Sequence, residues 1–108
     1  MSGTILVIGL NHATAPVAIR EKITFPGDQE GGVSRRLLQV EGVEEAMILS
    51  TCNRAEIITV AGDPGTVSET LIREIGIIHE LDTEPIRKFL YIKEGPEAVR
   101  HVFRVASS

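Results

Sequence analysis

The sequence contains very few residues that form cross-links or bulky aromatic packing. Its 108 residues include one cysteine, no tryptophan and only 4% aromatic residues. A single cysteine excludes an intramolecular disulfide and a metal site built from several cysteines. Because aromatics are so scarce, the core is expected to consist of Ile, Leu and Val side chains.

Long hydrophobic runs and a broad excess of positive charge are also missing. The first apolar run, residues 5–10, is too short for the core of a signal peptide, and no run approaches the ~20 residues that cross a bilayer. We therefore expect a cytoplasmic protein without a membrane partner. The formal net charge of -4 argues against a nucleic-acid surface that is basic throughout. Arg35 and Arg36, and the basic residues after position 86, remain candidates for a local RNA contact.

The alternation of apolar runs and turn signals predicts one α+β domain. Strands are predicted at residues 5–8, 46–49, 55–61 and 89–93. Helices are predicted to begin near Thr14, Gln29, Thr66 and Pro96. Thr14 is expected to cap the first helix, and the second is expected to run to Val40. This order is typical of a ferredoxin-like (split βαβ) α/β sandwich with a four-stranded, mainly antiparallel sheet, here with an extra C-terminal helix.

Two of the predicted helices carry informative patterns. The segment from Thr66 to Glu69 has the form of a capping box. The helix that it opens carries Val67, Leu71, Ile75 and Ile78 on one stripe. The stripe expected to face the core from the last helix contains Ala98, Val99, Val102, Phe103 and Ala106.

The only cysteine lies in a short polar joint, Ser50-Thr51-Cys52-Asn53-Arg54, between the second and third predicted strands. The joint is typical of a hairpin, and Asn53 tolerates positive φ there. Strands one and two are joined by a helical crossover, so we predict that they run parallel. The Asn11–His12 loop then lies at the same edge as Cys52, and His101 is predicted to approach it.

A thiol at this position has a nucleophilic interpretation. Free backbone N–H groups and the guanidinium of Arg54 would favour the thiolate, and the same N–H groups would bind an oxyanion. Each residue also has a structural alternative. Cys52 can be inert packing, Arg54 can pair with Glu56 instead of gripping a substrate carboxylate, and His101 can be a structural histidine.

Metal and dinucleotide sites are not expected from the residue spacing. Cys52, His12 and His101 are far apart, and no pair has the close spacing of zinc ligands. No G-x-G-x-x-G motif follows the first predicted strand. His79 is interpreted as a helix-end residue favoured by the helix dipole.

Three segments together resemble the glutamyl-tRNA reductase family. Residues 9–16 with 20–22 are similar to its opening signature, residues 49–56 to its catalytic-cysteine motif, and residues 97–107 to its histidine-bearing helix. They occur in the family's order and span nearly the whole chain. Ala55 stands where the family usually has Thr, and Ile58 where it usually has an aromatic residue; neither change touches the nucleophile.

The resemblance implies an NADPH-dependent oxidoreductase of tetrapyrrole biosynthesis. The Cys52 thiolate would attack the ester of glutamyl-tRNA, and NADPH would reduce the resulting thioester to glutamate-1-semialdehyde. Thr51, Cys52, Asn53 and Arg54 would contact the glutamyl end, and His101 would orient the substrate or move protons.

The resemblance also implies a domain organisation. Residues 1–108 would be a truncated N-terminal catalytic domain, which binds glutamyl-tRNA but lacks the NADPH-binding and dimerisation domains. The full-length enzyme would be a homodimer, and the isolated chain would be inactive in reduction. The alternatives are a non-catalytic ferredoxin-like module that binds RNA or a metabolite, and a structural domain with a buried thiol.

Overall fold

A computed structural model describes residues 3–25 and 31–107, which form a four-stranded sheet with helices on both faces. In chain order the elements are β1 Thr4–Asn11, α1 Val17–Lys22, α2 Gly32–Leu37, β2 Val43–Thr51, β3 Arg54–Ala61, α3 Pro64–His79, a 3₁₀ helix Glu84–Phe89, β4 Tyr91–Glu94 and α4 Pro96–Ser107. The strand order is β2-β3-β1-β4. The predicted ferredoxin-like α+β architecture is thereby confirmed.

All three strand pairings in the sheet are antiparallel, and β3 lies between β1 and β2. Since β1 and β2 each run antiparallel to β3, they run in the same direction, as predicted, although they are not neighbours. Their carboxyl ends therefore meet at one edge of the sheet. At this edge the His12 N–H donates to the Asn53 carbonyl at 2.9 Å.

The main core lies between one face of the sheet and α3, and it is aliphatic as expected. The α3 residues Val67, Leu71 and Ile75 are all buried, because their spacing places them on one side of the helix. Ile78, predicted in the same stripe, is only partly buried against this core. The sheet contributes the residues that alternate toward α3, which are Leu6, Ile8, Leu10, Ala55, Ile57 and Ala61.

The capping box predicted for α3 is wrong. The helix begins one turn earlier, at Pro64, and Asp63 is its N-cap. The Asp63 carboxylate accepts from the Thr66 N–H at 3.5 Å and from the Thr66 hydroxyl at 2.9 Å. Asp at the N-cap followed by Pro at the first helical position is a stronger start signal than the box. Glu69 is thereby left to pair with Arg87 at 2.9 Å.

Thr14 does not cap α1 as predicted. The helix starts at Val17 after Pro16, and no side chain caps it. Thr14 belongs to the preceding turn, where its hydroxyl accepts from the Asn11 N–H at 3.0 Å. The Asn11 carboxamide in turn accepts from the N–H groups of Ala13 and Thr14. Asn11, expected in a loop, ends β1 and organises this turn.

The predicted second helix is shorter than expected. Its first residues, from Gln29, lie outside the described part of the chain. Within the described part the helix follows Gly31, which has a φ of 73°, and it ends at Leu37. A left-handed backbone at this position suits glycine and starts the helix late.

The core-facing stripe predicted for α4 is also wrong. Of its five residues only Ala98 is buried, and Phe103 is 71% exposed. The reason is that α4 lies on the sheet face opposite α3, where it contacts β1 and β4. Along β3, Ile57 points into the main core while its neighbours Glu56 and Ile58 point toward α4.

The remaining difference concerns the start of β4. Phe89, predicted to start the fourth strand, belongs to the 3₁₀ helix, and β4 begins at Tyr91.

Among residues 3–25 and 31–107, no helix combines the length and apolar character needed to cross a bilayer.

Candidate active site

The Cys52–Asn53 tip connects β2 to β3 as a two-residue hairpin turn. The flanking residues Thr51 and Arg54 face each other in the strand register. Cys52 is exposed and forms no disulfide. The thiol is therefore open to solvent, which contradicts the alternative of a structural domain with a buried thiol.

The backbone of the tip departs from the sequence prediction in two respects. Asn53 does not adopt positive φ; among the described non-glycine residues, only Glu80 does. Its N–H is not free either, since it donates to the Thr51 hydroxyl at 3.2 Å. The predicted set of free N–H groups is thus smaller than expected. Two-residue hairpins favour turns with positive φ, so this tip adopts a less common geometry.

Both carbonyl groups of the tip accept hydrogen bonds from the segment after β1. The Asn53 carbonyl accepts from the His12 N–H at 2.9 Å. The Cys52 carbonyl accepts from Arg20 Nε at 3.4 Å, while Arg20 Nη1 donates to the Ala15 carbonyl at 2.7 Å. The segment that resembles the family's opening signature thus contacts the segment that carries the thiol.

A buried carboxylate, Glu56, forms the second part of the site, on the sheet face under α4. Only 1% of Glu56 is exposed. Its Oε2 atom accepts from Arg54 Nη1 at 3.1 Å and from the Tyr91 hydroxyl, and it lies 2.5 Å from His101 Nε2. Arg54 Nη1 also donates to the Tyr91 hydroxyl at 3.2 Å. We call these four residues the Glu56 cluster.

The environment of Tyr91 alters its acidity. Burial and the hydrogen bond to the Glu56 carboxylate raise the pKa of the Tyr91 phenol above its ordinary value. Tyr91 therefore remains a neutral hydrogen-bond donor throughout the physiological range. Its ring also packs against His101, with centroids 5.2 Å apart.

Gly9 makes room for the Glu56 cluster. In the sheet register it lies opposite both Glu56 and Tyr91. A Cβ atom added at Gly9 would lie 2.4 Å from the Ala55 carbonyl oxygen and 2.8 Å from Glu56 Cγ. No side chain larger than hydrogen fits there without displacing β3.

One oxygen of Glu56 is left without a partner. Oε1 is buried and has no hydrogen-bond partner among the described residues. Glu56 also lines an apolar cavity of about 250 Å³ beneath α4, together with Met47, Leu49, Ile58, Val102, Val105 and Ala106. The polar cluster thus borders a mainly aliphatic space.

His101 contacts Glu56 and not Cys52. Glu56 is four residues along the chain from Cys52, up to about 13 Å along extended backbone. His101 therefore reaches β3 at Glu56, on the face toward α4, and not at the hairpin tip. Arg54 links the two parts, since it borders the tip and pairs with Glu56, the ion pair that the sequence left open. The catalytic roles of Cys52 and His101, and substrate binding by Thr51, Cys52, Asn53 and Arg54, stay predictions.

Sequence reasoning missed Glu56 as the centre of this cluster. The available signal was an acidic residue between the apolar residues Ala55 and Ile57 in a mainly apolar strand. A carboxylate at such a position requires buried donors. Tyr91 and His101 supply them, but they are distant in sequence and no local pattern connects them to Glu56.

His79 has a structural setting. Its Nδ1 lies 2.9 Å from the Ile75 carbonyl and its Nε2 lies 2.8 Å from the Thr24 carbonyl. The ring also meets Phe25 edge-on, with centroids 4.9 Å apart. His79 therefore ties the end of α3 to the segment after α1. Within the described ranges, no group of three or more His, Cys, Asp or Glu side chains is arranged to hold a metal ion.

The described residues do not fit a dinucleotide cofactor. Such sites lie at the carboxyl ends of parallel strands, with a glycine-rich turn leading into a helix. Here every strand pairing is antiparallel. The turn that follows β1 contains no glycine, and it leads into α1, which has only six residues.

Comparison with known proteins assigns the family. Residues 8–108 match the model of the glutamyl-tRNAGlu reductase N-terminal domain. The chain is 50% identical to the glutamyl-tRNA reductase of Syntrophotalea carbinolica over 103 residues, covering 95% of this chain and 23% of that protein. It is 42% identical to the glutamyl-tRNA reductase of Geobacter sulfurreducens over 104 residues, covering 96% of this chain and 24% of that protein.

A solved structure agrees with these relatives. The glutamyl-tRNA reductase from Methanopyrus kandleri superposes with a TM-score of 0.65 and 29% sequence identity, covering 95% of this chain and 22% of that one. The chain thus spans about a quarter of the length of the relatives it matches. The chain belongs to the glutamyl-tRNA reductase N-terminal domain family.

Proposed function

We propose that this chain is the acyl-accepting domain of a glutamyl-tRNA reductase and that Cys52 is its nucleophile. One observation carries the proposal: the only cysteine is exposed at the hairpin tip, inside the motif that resembles the family's catalytic segment. An inert cysteine is usually packed among apolar side chains. An exposed thiol on a tip that is held in place suits attack on a large acyl ester.

The proposed step is an acyl transfer from oxygen to sulfur. The Cys52 thiolate attacks the ester carbonyl that joins glutamate to the terminal ribose of tRNA, and a carbon–sulfur bond forms. The tetrahedral intermediate collapses with loss of the ribose oxygen, which takes up a proton as tRNA leaves. The product is a glutamyl thioester on Cys52. No oxidant or reductant is needed for this half-reaction.

Arg54 and His101 have proposed supporting roles. Nη1 of Arg54 is engaged by Glu56 and Tyr91, which leaves Nη2 and Nε to bind the substrate carboxylate. Glu56 would hold the guanidinium at the correct angle. His101, held by the same carboxylate, would orient the substrate or move protons. Thr51 and Asn53 would contact the glutamyl end at the tip.

The complete reaction would require the rest of a longer protein. We propose that residues 1–108 act as a truncated N-terminal catalytic domain, and that NADPH-binding and dimerisation domains lie outside this sequence. The intact homodimeric enzyme would use NADPH to convert the acyl group to glutamate-1-semialdehyde for tetrapyrrole synthesis in the cytoplasm. By itself the chain would accept the acyl group and perform no reduction.

The test is acylation of the intact reductase by glutamyl-tRNA with NADPH omitted. Wild-type protein should accumulate a hydroxylamine-sensitive glutamyl adduct, detected by intact mass spectrometry and located at Cys52 by peptide mapping. Cys52→Ser should leave the fold unchanged, by circular dichroism, and abolish both the adduct and NADPH-dependent turnover.

A displaced thiol provides the matched control. Cys52→Ser combined with Arg73→Cys removes the thiol from the hairpin tip and places one at an exposed position on α3. It should remain unacylated. Substantial turnover by Cys52→Ser, or equal acylation of the displaced thiol, would contradict covalent catalysis by Cys52 and favour a non-catalytic RNA- or metabolite-binding module.

A further inference from the structure

The hairpin tip is held by two donors, one from the turn that follows β1 and one from α1. The His12 N–H binds the Asn53 carbonyl, and the Arg20 guanidinium binds the Cys52 carbonyl. A two-residue hairpin without positive φ lacks the turn geometry that most readily closes such a connection. External donors to both carbonyls therefore help to fix the direction in which the Cys52 side chain points.

Arg20 is suited to this task by its shape and surroundings. Its guanidinium spans two backbone carbonyls, that of Ala15 at 2.7 Å through Nη1 and that of Cys52 at 3.4 Å through Nε. The side chain is half-buried, so its position is restricted by packing. A rigid planar fork can hold two acceptors at a fixed angle, whereas a lysine ammonium acts as a point charge.

The second consequence of this contact is electrostatic. Among the described residues, Arg20 is the cation whose hydrogen bond reaches the backbone of the thiol-bearing residue itself. Arg54, by comparison, directs Nη1 away from the tip toward Glu56 and Tyr91. A guanidinium near the thiol attracts an approaching anion.

We propose that Arg20 is a positioning residue of the reaction: it fixes the Cys52–Asn53 tip through the Cys52 carbonyl and supplies positive charge beside the thiol. The inference rests on the proposed function of Cys52 and adds a residue to it. It also gives a reason for the contact between the segment after β1 and the hairpin. Arg20, from the first, fixes the Cys52–Asn53 tip and supplies positive charge near it.

The test compares two alkylating reagents that differ in charge. The chain has one cysteine, so every adduct forms at Cys52. Rate constants are measured with anionic iodoacetate and neutral iodoacetamide, and their ratio reports the local potential independently of thiol exposure. In water, a unit charge about 6 Å away changes this ratio by about threefold. Arg20→Gln should therefore lower the ratio about threefold at low salt.

Two further variants separate charge from structure. Arg20→Lys should retain the ratio, because the charge remains. If the tip moves in this variant, the rate constants for both reagents should change in the same direction. Arg36→Gln removes a different guanidinium, which pairs with Glu74 on the surface at 2.8 Å, and should leave the ratio unchanged. A ratio for Arg20→Gln equal to that of wild type, with an unchanged melting temperature, would overturn the proposal.

Wild-type protein supplies a test that does not depend on the folding of a variant. Its ratio should exceed that of the same chain unfolded in urea, and the excess should shrink as salt screens the charge. Equal ratios for folded and unfolded chains would also overturn the proposal. Because no glutamyl-tRNA is used, failure of Cys52 acylation and failure of this inference are separate outcomes.

Discussion

The two faces of the sheet are stabilised by different interactions. The face toward α3 is aliphatic and closely packed, with Leu6, Leu71 and Ile57 fully or almost fully buried. The face toward α4 carries the Glu56 cluster and leaves Phe103 exposed. β3 serves both faces, since its alternate residues point in opposite directions. The comparison shows that hydrophobic burial stabilises the domain mainly from one side, which leaves the other side available for buried polar groups.

The largest expected effect is a cavity on the aliphatic face. Leu71→Ala removes a fully buried side chain and should lower the free energy of unfolding by about 2 to 5 kcal/mol. Phe103→Ala on the opposite face removes a side chain that is 71% exposed, and should change it by less than about 0.5 kcal/mol. Urea unfolding measures both. Equal losses would show that α4 packs as tightly as α3.

An intermediate effect is expected from the charge of the Glu56 cluster. Glu56→Gln keeps the shape but removes the carboxylate that Arg54, Tyr91 and His101 share. It should lower the free energy of unfolding by about 1 to 3 kcal/mol, because buried donors lose a charged acceptor. Glu94→Gln, at an exposed position of β4, is the matched control and should have little effect. If the two variants were equally stable, the negative charge of Glu56 would contribute no stability.

The smallest effect is expected from one hydroxyl group and depends on pH. Tyr91→Phe should cost about 1 kcal/mol at neutral pH through the lost hydrogen bond to Glu56. The folded protein raises the pKa of Tyr91, so this residue contributes stability that is fully present below the unfolded pKa of about 10 and is lost as pH rises above it.

The pH dependence is measured by urea unfolding at about pH 8 and about pH 11. The gap between wild type and Tyr91→Phe should be narrower at the higher pH, because only wild type loses the contribution of the neutral phenol. A constant gap would contradict the raised pKa.

The sequence predicts features that depend on local periodicity and turn residues. The strand and helix order, the α3 stripe through Val67, Leu71 and Ile75, and the exposed thiol at a hairpin between β2 and β3 follow from spacing over a few residues. Local spacing determines which residues of a strand alternate and which residues of a helix share one side. It does so independently of the rest of the chain.

Other features depend on which elements meet in three dimensions. The amphipathic pattern of α4 shows that the helix has an apolar side but does not reveal that it lies on the more polar face of the sheet. For the same reason His101 meets Glu56, 45 residues away, instead of the hairpin tip. The clamp of Arg20 on the Cys52 carbonyl, 32 residues away, leaves no mark on the local pattern around either residue.

Gly9 illustrates how a residue without a side chain constrains the chemistry of its neighbours. Because it faces Glu56 on one strand and Tyr91 on the other, its missing methyl group creates the volume into which the carboxylate folds. Even alanine at position 9 would push β3 outward and carry Arg54 away with it. The side chains that position 9 can carry are thus restricted by the space that Glu56 needs, although Gly9 itself contributes no side chain to the cluster.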